Sequence, residues 1–197
     1  MNLAHAIGED CCTIYSQDIS QKSSSLLRIN LILNNLVHSI QNIIQGNTLL
    51  SPFHRDGKDL KRFDYIVSNP PFKMDFSDFR NDLDSKENNL RFFAGIPKIP
   101  PKAKDKMAIY QLFIQHIIVS LKDNGRAAIV VPTGFLTAKS IDKKIRETLI
   151  KEKILRGVVT MPSNIFATTN TNVSILFIDK NKVDEVILID AVSYTHL

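Results

Sequence analysis

The stretch "FDYIVSNPPFKM", residues 63–74, joins a hydrophobic strand pattern to a proline-rich turn. Its apolar residues before Ser68 are typical of the interior of a sheet. Pro70 has no N–H to donate to a sheet ladder, so the strand is predicted to end at Ser68 or Asn69. The polar and aromatic residues that follow are therefore expected at the carboxyl end of a central parallel strand.

The composition is that of an ordinary globular protein. The chain has 197 residues, 44% of them hydrophobic and 23% charged, which is enough for one domain with a sizeable core. No apolar run approaches the roughly 20 residues of a membrane helix, and the first residues lack the pattern of a secretory signal. We therefore expect a cytoplasmic protein without a membrane partner. The net charge of +5 fits a nucleic-acid partner but equally fits a plain basic surface.

Helical and strand patterns alternate along the chain. Helices are predicted over 26–40, after three serines, over 108–121 and over 141–149, and strands at 43–44, 63–67, 127–132, 155–162, 172–179 and 184–190. This alternation predicts an α/β fold with a doubly wound, mostly parallel sheet. Ligands of such sheets bind beyond the carboxyl ends of the strands.

A long segment, residues 73–106, shows no clean periodicity. It exceeds the usual length of a connection inside a compact domain, so we expect it to be functional or disordered. Its last part carries Lys98, Lys102, Lys104 and Lys106. These lysines fit contacts to DNA phosphates, and they also fit a solvated loop.

The tetrapeptide Asn69, Pro70, Pro71 and Phe72 offers a chemistry for an exocyclic amino group. The lone pair of such a nitrogen is delocalised into its ring, which makes the nitrogen a poor nucleophile. The Asn69 carboxamide oxygen and the Pro70 carbonyl oxygen could accept both amino hydrogens and favour a pyramidal nitrogen. Phe72 offers a flat surface on which a base can stack. A strand-ending turn with a buried phenylalanine is the alternative.

"NPPF" after a hydrophobic strand resembles the active-site motif of amino-group methyltransferases that use S-adenosylmethionine. Nearly the whole chain resembles one such family, the modification subunits of type I restriction-modification systems, which are N6-adenine DNA methyltransferases. In "IYSQDIS", Asp18 matches the acidic residue that binds the cofactor ribose. In "QGNTLL", Asn47 replaces the usual aspartate that contacts the cofactor adenine, and its amide oxygen can still accept from an adenine amino group. Either residue also fits an ordinary strand end or turn.

Downstream stretches extend the resemblance. "FIQH" and "GRAAIVVP" are similar to the helix-and-strand block of the family, and "MPSNIFATTNTNVSILFIDKNK" resembles its later target-base motif. The resemblance makes Phe166 a candidate for the second aromatic surface around a flipped adenine. Burial in the core is the alternative for Phe166.

The resemblance implies a site-specific DNA adenine-N6 methyltransferase. Its cofactor would be S-adenosylmethionine, and its partners double-stranded DNA, a specificity subunit and a restriction subunit. Related tetrapeptides occur in methyltransferases of protein glutamine and of guanine in ribosomal RNA. An inactive remnant that only binds partners is a third interpretation.

The two ends of the chain depart from the family pattern. No Gly-rich turn is found before "IYSQD", so we expect a partial catalytic domain over residues 1–191 that lacks the first strand and this turn. Such a chain is expected to be inactive by itself. The last residues, 192–197, resemble no part of the family and are expected to be a non-native tail.

Overall fold

The computed structural model describes residues 2–8, 12–163, 165 and 171–192. The chain divides into two compact units, Met1–Lys61 and Arg62–Leu197. No helix within these described ranges is both long enough and apolar enough to cross a membrane. The expected α/β architecture is confirmed, because helices and strands alternate in each unit.

The first unit is built on a small parallel sheet. Its helices are α1 (Asn2–Ile7), α2 (Gln21–Leu33) and a 3₁₀ turn at Val37–Asn42, and its strands are β1 (Ser16–Asp18), β2 (Ile43–Gln45), β3 (Arg55–Asp56) and β4 (Asp59–Leu60). β1 and β2 pair in parallel, so that Asp18 lies opposite Gln45. β3 and β4 form a short antiparallel hairpin. The carboxyl ends of β1 and β2 therefore lie at the same edge of their sheet.

Helix α2 differs from the sequence prediction at both ends. The three serines expected to precede the helix lie inside it, and Ser20 is the N-cap, accepting a hydrogen bond from the Ser23 N–H at 3.2 Å. The helix ends at Leu33, and Asn35 then adopts a left-handed conformation with φ of 57°. Because the apolar pattern continues into the 3₁₀ turn, periodicity alone placed the end of this helix too late.

The second unit carries a five-stranded sheet. Its strands are β5 (Phe63–Ser68), β6 (Leu121–Pro132), β7 (Leu155–Thr160), β8 (Val173–Asp179) and β9 (Ile187–Asp190), and its helices are α3 (Arg80–Leu83), α4 (Tyr110–Val119) and α5 (Ile141–Lys151) with 3₁₀ turns at Lys104–Lys106 and Thr133–Leu136. The strand order is β5-β6-β8-β7-β9. β5 runs parallel to β6, β7 runs parallel to β9, and β8 is antiparallel to both β6 and β7. Four of these five strands thus share one direction, which confirms the mostly parallel sheet.

β5 is an edge strand of this sheet and not a central one. Among the described residues it pairs only with β6, and Ser68 lies beside Ile129. The alternate side chains Tyr65 and Val67 are exposed. The expectation that the proline-rich turn follows a central strand is therefore wrong for the sheet of this unit, although the strand ends at Ser68 as predicted.

One hydrophobic core joins the sheet to its helices. Ile129 and Val131 of β6 are fully buried, as are Ile145 and Leu149, which lie four residues apart on α5. Burial of such side chains contributes roughly 1.5–3 kcal/mol each. α4 adds Ile114 and its neighbours to the same cluster. The core therefore fixes the strand from which the candidate site projects.

Candidate active site

The turn at residues 69–72 begins directly after β5. Asn69 is exposed, whereas Pro70 is buried. Within the described part of the chain, neither the Asn69 carboxamide nor the Pro70 carbonyl oxygen makes a hydrogen bond. Two acceptor oxygens are therefore uncommitted at the end of a parallel strand, where the fold rule places ligands.

Phe72 is the aromatic residue of this turn. Its side chain is half-buried and packs against the core cluster of the second unit. The core anchors the ring, and part of the ring stays accessible. Phe72 therefore contributes to the core and is not fully enclosed by it.

The chain that leaves the turn is held by a second backbone segment, the one that precedes α4. The N–H of Met74 donates to the carbonyl oxygen of Met107 at 3.1 Å, and Met107 is buried. The next residue, Asp75, accepts a hydrogen bond from the Ser77 N–H at 2.9 Å. This hydrogen bond is the main cause of a lowered Asp75 pKa, to which the charge of Lys104 adds a smaller effect. The turn is therefore fixed between β5 and the residues before α4.

Residues 73–106, expected to be functional or disordered, form an ordered segment. Phe76, Leu83 and Phe92 are buried, and the Arg80 Nε donates to the carbonyl oxygen of Pro97 at 3.2 Å. The Gln115 side chain of α4 accepts from the Ala94 N–H and donates to the Gly95 carbonyl oxygen. Scattered apolar residues without periodicity hold this segment, which explains why no element was predicted there.

Asp18 lies in the first unit at the end of β1 and is exposed. Its Oδ1 accepts a hydrogen bond from the Ser20 N–H at 2.7 Å, next to the start of α2. Its second carboxylate oxygen has no partner in the described structure. Asp18, the residue expected to bind ribose hydroxyls, therefore keeps one free carboxylate oxygen, which can accept a hydrogen bond from a hydroxyl group.

Asn47 follows β2 at the same edge of the small sheet. Its Oδ1 accepts from the Leu49 N–H at 3.0 Å and from the Leu50 N–H at 3.2 Å. Both lone pairs of this oxygen are therefore engaged in the turn. The sequence suggested that the oxygen would accept from an adenine amino group, whereas the geometry leaves the Nδ2 group as the free part of the amide.

Phe166, the candidate for the second aromatic surface, lies outside the described residues. The motif that contains it, residues 161–182, begins directly after β7 and extends through β8, and both strands are described.

A buried polar cluster between α4 and α5 was missed. Asp142 is only 4% exposed, and its two oxygens accept from the Tyr110 hydroxyl and the Gln111 Nε2, each at 2.8 Å. Burial raises the pKa of the Asp142 carboxyl and is also the main cause of a raised Tyr110 pKa. An aspartate in the first turn of a helix is ordinary on helix-dipole grounds, so no sequence signal distinguished Asp142. The cluster fixes the beginning of α4, which follows the Met107 tether.

Comparison with known proteins adds a family match and several relatives. Residues 3–196 match the family model described as N-6 DNA methylase. The methylase subunit of the type I restriction enzyme MpnII from Mycoplasma pneumoniae is 31% identical over 183 residues, which cover 89% of this chain and 32% of that protein. The chain spans about a third of the length of the curated relatives it matches.

Solved structures show the same fold. The methyltransferase subunit of a type I restriction-modification system from Streptococcus thermophilus matches with a TM-score of 0.72 and 26% identity, covering 92% of this chain and 36% of that one. A putative class I S-adenosylmethionine-dependent methyltransferase from Listeria monocytogenes matches with a TM-score of 0.62 and 19% identity, covering 93% and 50% of the two chains. The α/β sheet is therefore of the S-adenosylmethionine-dependent methyltransferase type.

Proposed function

The chain belongs to the N-6 DNA methylase family, and from this premise we propose that its complete gene product methylates the N6 amino group of adenine in DNA. The observation that carries the proposal is the turn at residues 69–72. It follows a parallel strand, presents two uncommitted acceptor oxygens, and places a partly accessible aromatic ring three residues after Asn69.

The turn suits an amino group attached to a planar ring. The Asn69 carboxamide oxygen and the Pro70 carbonyl oxygen accept its two hydrogens, and the nitrogen lone pair is then withdrawn from conjugation. Pro70 and Pro71 restrict the backbone, so the direction of the acceptors is set before substrate arrives. Alignment of the reacting nitrogen supplies the larger effect, since orientation can contribute roughly 7–11 kcal/mol.

S-adenosylmethionine supplies an electrophilic methyl group when it is bound. The residues proposed to hold it are Asp18, through its free carboxylate oxygen on the ribose, and Asn47, through its amide on the adenine. A carboxylate and an amide, each positioned by backbone hydrogen bonds at the end of a strand, fit a nucleoside. The proposal that Asp18 and Asn69 serve one site stays a prediction.

An adenine inside a duplex must leave the stack before its amino group can reach the turn. Phe72 is proposed to stack against the flipped base, and Phe166 is proposed as the surface on its other side. Stacking of a base on an aromatic side chain contributes about 1–3 kcal/mol.

The partners proposed for the complete protein are double-stranded DNA, a specificity subunit and a restriction subunit. Support comes from the relatives, which are named as methylase subunits of type I restriction enzymes. The specificity subunit would select the DNA sequence, which leaves the present chain with the chemistry of methyl transfer.

Identification of the methylated product tests this proposal. The complete gene product and its specificity subunit are incubated with labelled S-adenosylmethionine and, in separate reactions, with duplex DNA, ribosomal RNA and release-factor protein. We expect N6-methyladenine in the DNA reaction. Label found only in guanine of the RNA or in glutamine of the protein would contradict the proposal that DNA adenine is the substrate. It would still support methyl transfer to an amino group.

A further inference from the structure

The last part of the segment after the candidate turn displays four lysines from a fixed backbone. We refer to residues 98–106 as the lysine loop. Its charged residues are the exposed side chains Lys98, Lys102, Lys104, Lys106 and one acid, Asp105. None of these lysines lies within an ion-pair distance of a carboxylate among the described residues, whereas Lys122 and Lys153 at other positions bind Asp64 and Asp184.

Both ends of the lysine loop are anchored in the core. Pro97 is buried and accepts the hydrogen bond from Arg80, and Met107 is buried at the other end. Ala103 adopts a left-handed conformation with φ of 56°, which is uncommon for a residue other than glycine. The turn after Ala103 closes through hydrogen bonds from Lys106 N–H and Met107 N–H. The lysines therefore project from an ordered loop and not from a free chain.

The lysine loop lies next to the candidate turn. Met107, the residue after Lys106, accepts the hydrogen bond from Met74 at 3.1 Å, and Met74 lies two residues after Phe72. Lys104 acts electrostatically on Asp75, one residue further along. Four lysines that make no ion pair among the described residues are thus tied to the segment in which the target base is proposed to bind.

On this basis we propose that the lysine loop binds the phosphate backbone of the DNA beside the flipped adenine. The inference rests on the proposed function, because it names the surface by which the same site holds its substrate. Lysine contacts to phosphate release condensed counterions, so they strengthen binding of any sequence and make binding dependent on salt. Such contacts position the duplex without reading its bases.

The test compares three variants of the complete gene product with the unmodified protein. The first replaces Lys98, Lys102, Lys104 and Lys106 with glutamine, and the second replaces the same four with arginine. The matched control replaces four exposed lysines at the opposite end of the parallel strands with glutamine: Lys122, Lys151, Lys153 and Lys182. Both glutamine variants change the net charge equally. Thermal unfolding establishes that each variant is folded.

Binding of a short duplex DNA is measured between about 50 and 200 mM salt, and the logarithm of the affinity is plotted against that of the salt concentration. We expect the slope of the loop glutamine variant to fall in magnitude by about 0.9 for each lost phosphate contact. The arginine variant and the opposite-end variant should keep the slope of the unmodified protein.

Two results would overturn the lysine-loop proposal. One is an unchanged slope for the loop glutamine variant, and the other is an equal loss in both glutamine variants, which would indicate a net-charge effect. If the unmodified protein binds and methylates DNA, either result contradicts this proposal alone. If the unmodified protein has no affinity for duplex DNA and methylates RNA or protein, the proposed function and this proposal fail together.

Discussion

The N–H of Met74 donates a hydrogen bond to the carbonyl oxygen of Met107 at 3.1 Å. This bond joins the segment leaving the NPPF turn to the segment entering α4, whose first turn is held by the buried Asp142. The turn is therefore restrained both by β5 and by the helical layer. Restraint of this kind is what two acceptors require if they are to meet an amino group in one orientation.

Replacement of Phe72 with alanine should weaken retention of the flipped base by about 1–3 kcal/mol, because the stacking surface is lost. Tyrosine or tryptophan at this position should largely preserve activity, since each supplies a flat ring. Methylation rates on duplex DNA measure the effect. Urea unfolding of each variant separates it from lost core packing, and full activity of the alanine variant would assign Phe72 to the core alone.

Asp18→Asn is expected to weaken binding of S-adenosylmethionine by about tenfold to a hundredfold. The asparagine retains the oxygen that accepts from the Ser20 N–H, but it replaces the free acceptor with a donor. Calorimetric titration of the complete gene product with the cofactor measures the change. Equal affinities for the variant and the unmodified protein would remove Asp18 from the cofactor site.

Asn47→Asp is expected to weaken cofactor binding, because it replaces the free Nδ2 donor with an acceptor. One oxygen of the new side chain can keep the hydrogen bonds from Leu49 and Leu50, so the turn is preserved and only the free group changes. Asn47→Ala, the control, should cost about 1 kcal/mol of stability because the turn loses its acceptor. Equal or stronger binding by the aspartate variant, at unchanged stability, would show that the Nδ2 group does not contact the cofactor.

The lowered pKa of His116 should make the free energy of unfolding depend on pH. Burial, with a contribution from the charge of Arg91, lowers its pKa to about 3, and its Nδ1 accepts from the Arg91 Nε at 3.0 Å. The His116 side chain binds a proton below about pH 6.5 in the unfolded chain. In the folded chain it binds this proton only below about pH 3. The free energy of unfolding should therefore fall between these values as pH falls, by at most about 1.4 kcal/mol per pH unit from this group.

Urea unfolding of the unmodified protein and of His116→Gln over that pH range measures the contribution. The glutamine can still accept from Arg91 but does not titrate, so its stability should depend less on pH. Parallel curves for the two proteins would show that His116 protonates equally in the folded and unfolded states.

Short-range patterns predicted the strands well. β5 ends at Ser68 because Pro70 cannot extend the ladder, and α5 carries Ile145 and Leu149 on its buried side as their spacing indicated. The end of α2 and the start of β6 at Leu121 were placed less well. In both cases an apolar residue continued a helical period although the chain had already changed conformation.

The hydrogen bonds of the candidate site were not visible in the sequence. Nothing in "QGNTLL" indicates that the oxygen of Asn47 is already engaged by two backbone amides, and nothing around Asp142 marks it as buried. The identity of a polar residue does not state which of its atoms remain free. The residue pattern predicts a type of site, which stays a prediction, whereas the atoms that remain free could be identified only from the structure.

The role of Asn69 is the central claim, and transfer of labelled methyl groups from S-adenosylmethionine to DNA tests it most directly. The complete gene product is assayed with its specificity subunit, beside Asn69→Ala and, as a matched control, Asn89→Ala at another exposed asparagine. We expect the Asn69 variant to lose at least about 1–3 kcal/mol of transition-state stabilisation, and more if the bond strengthens as the nitrogen pyramidalises. The Asn89 variant should keep the unmodified rate. Undiminished transfer by Asn69→Ala would contradict the proposed mechanism.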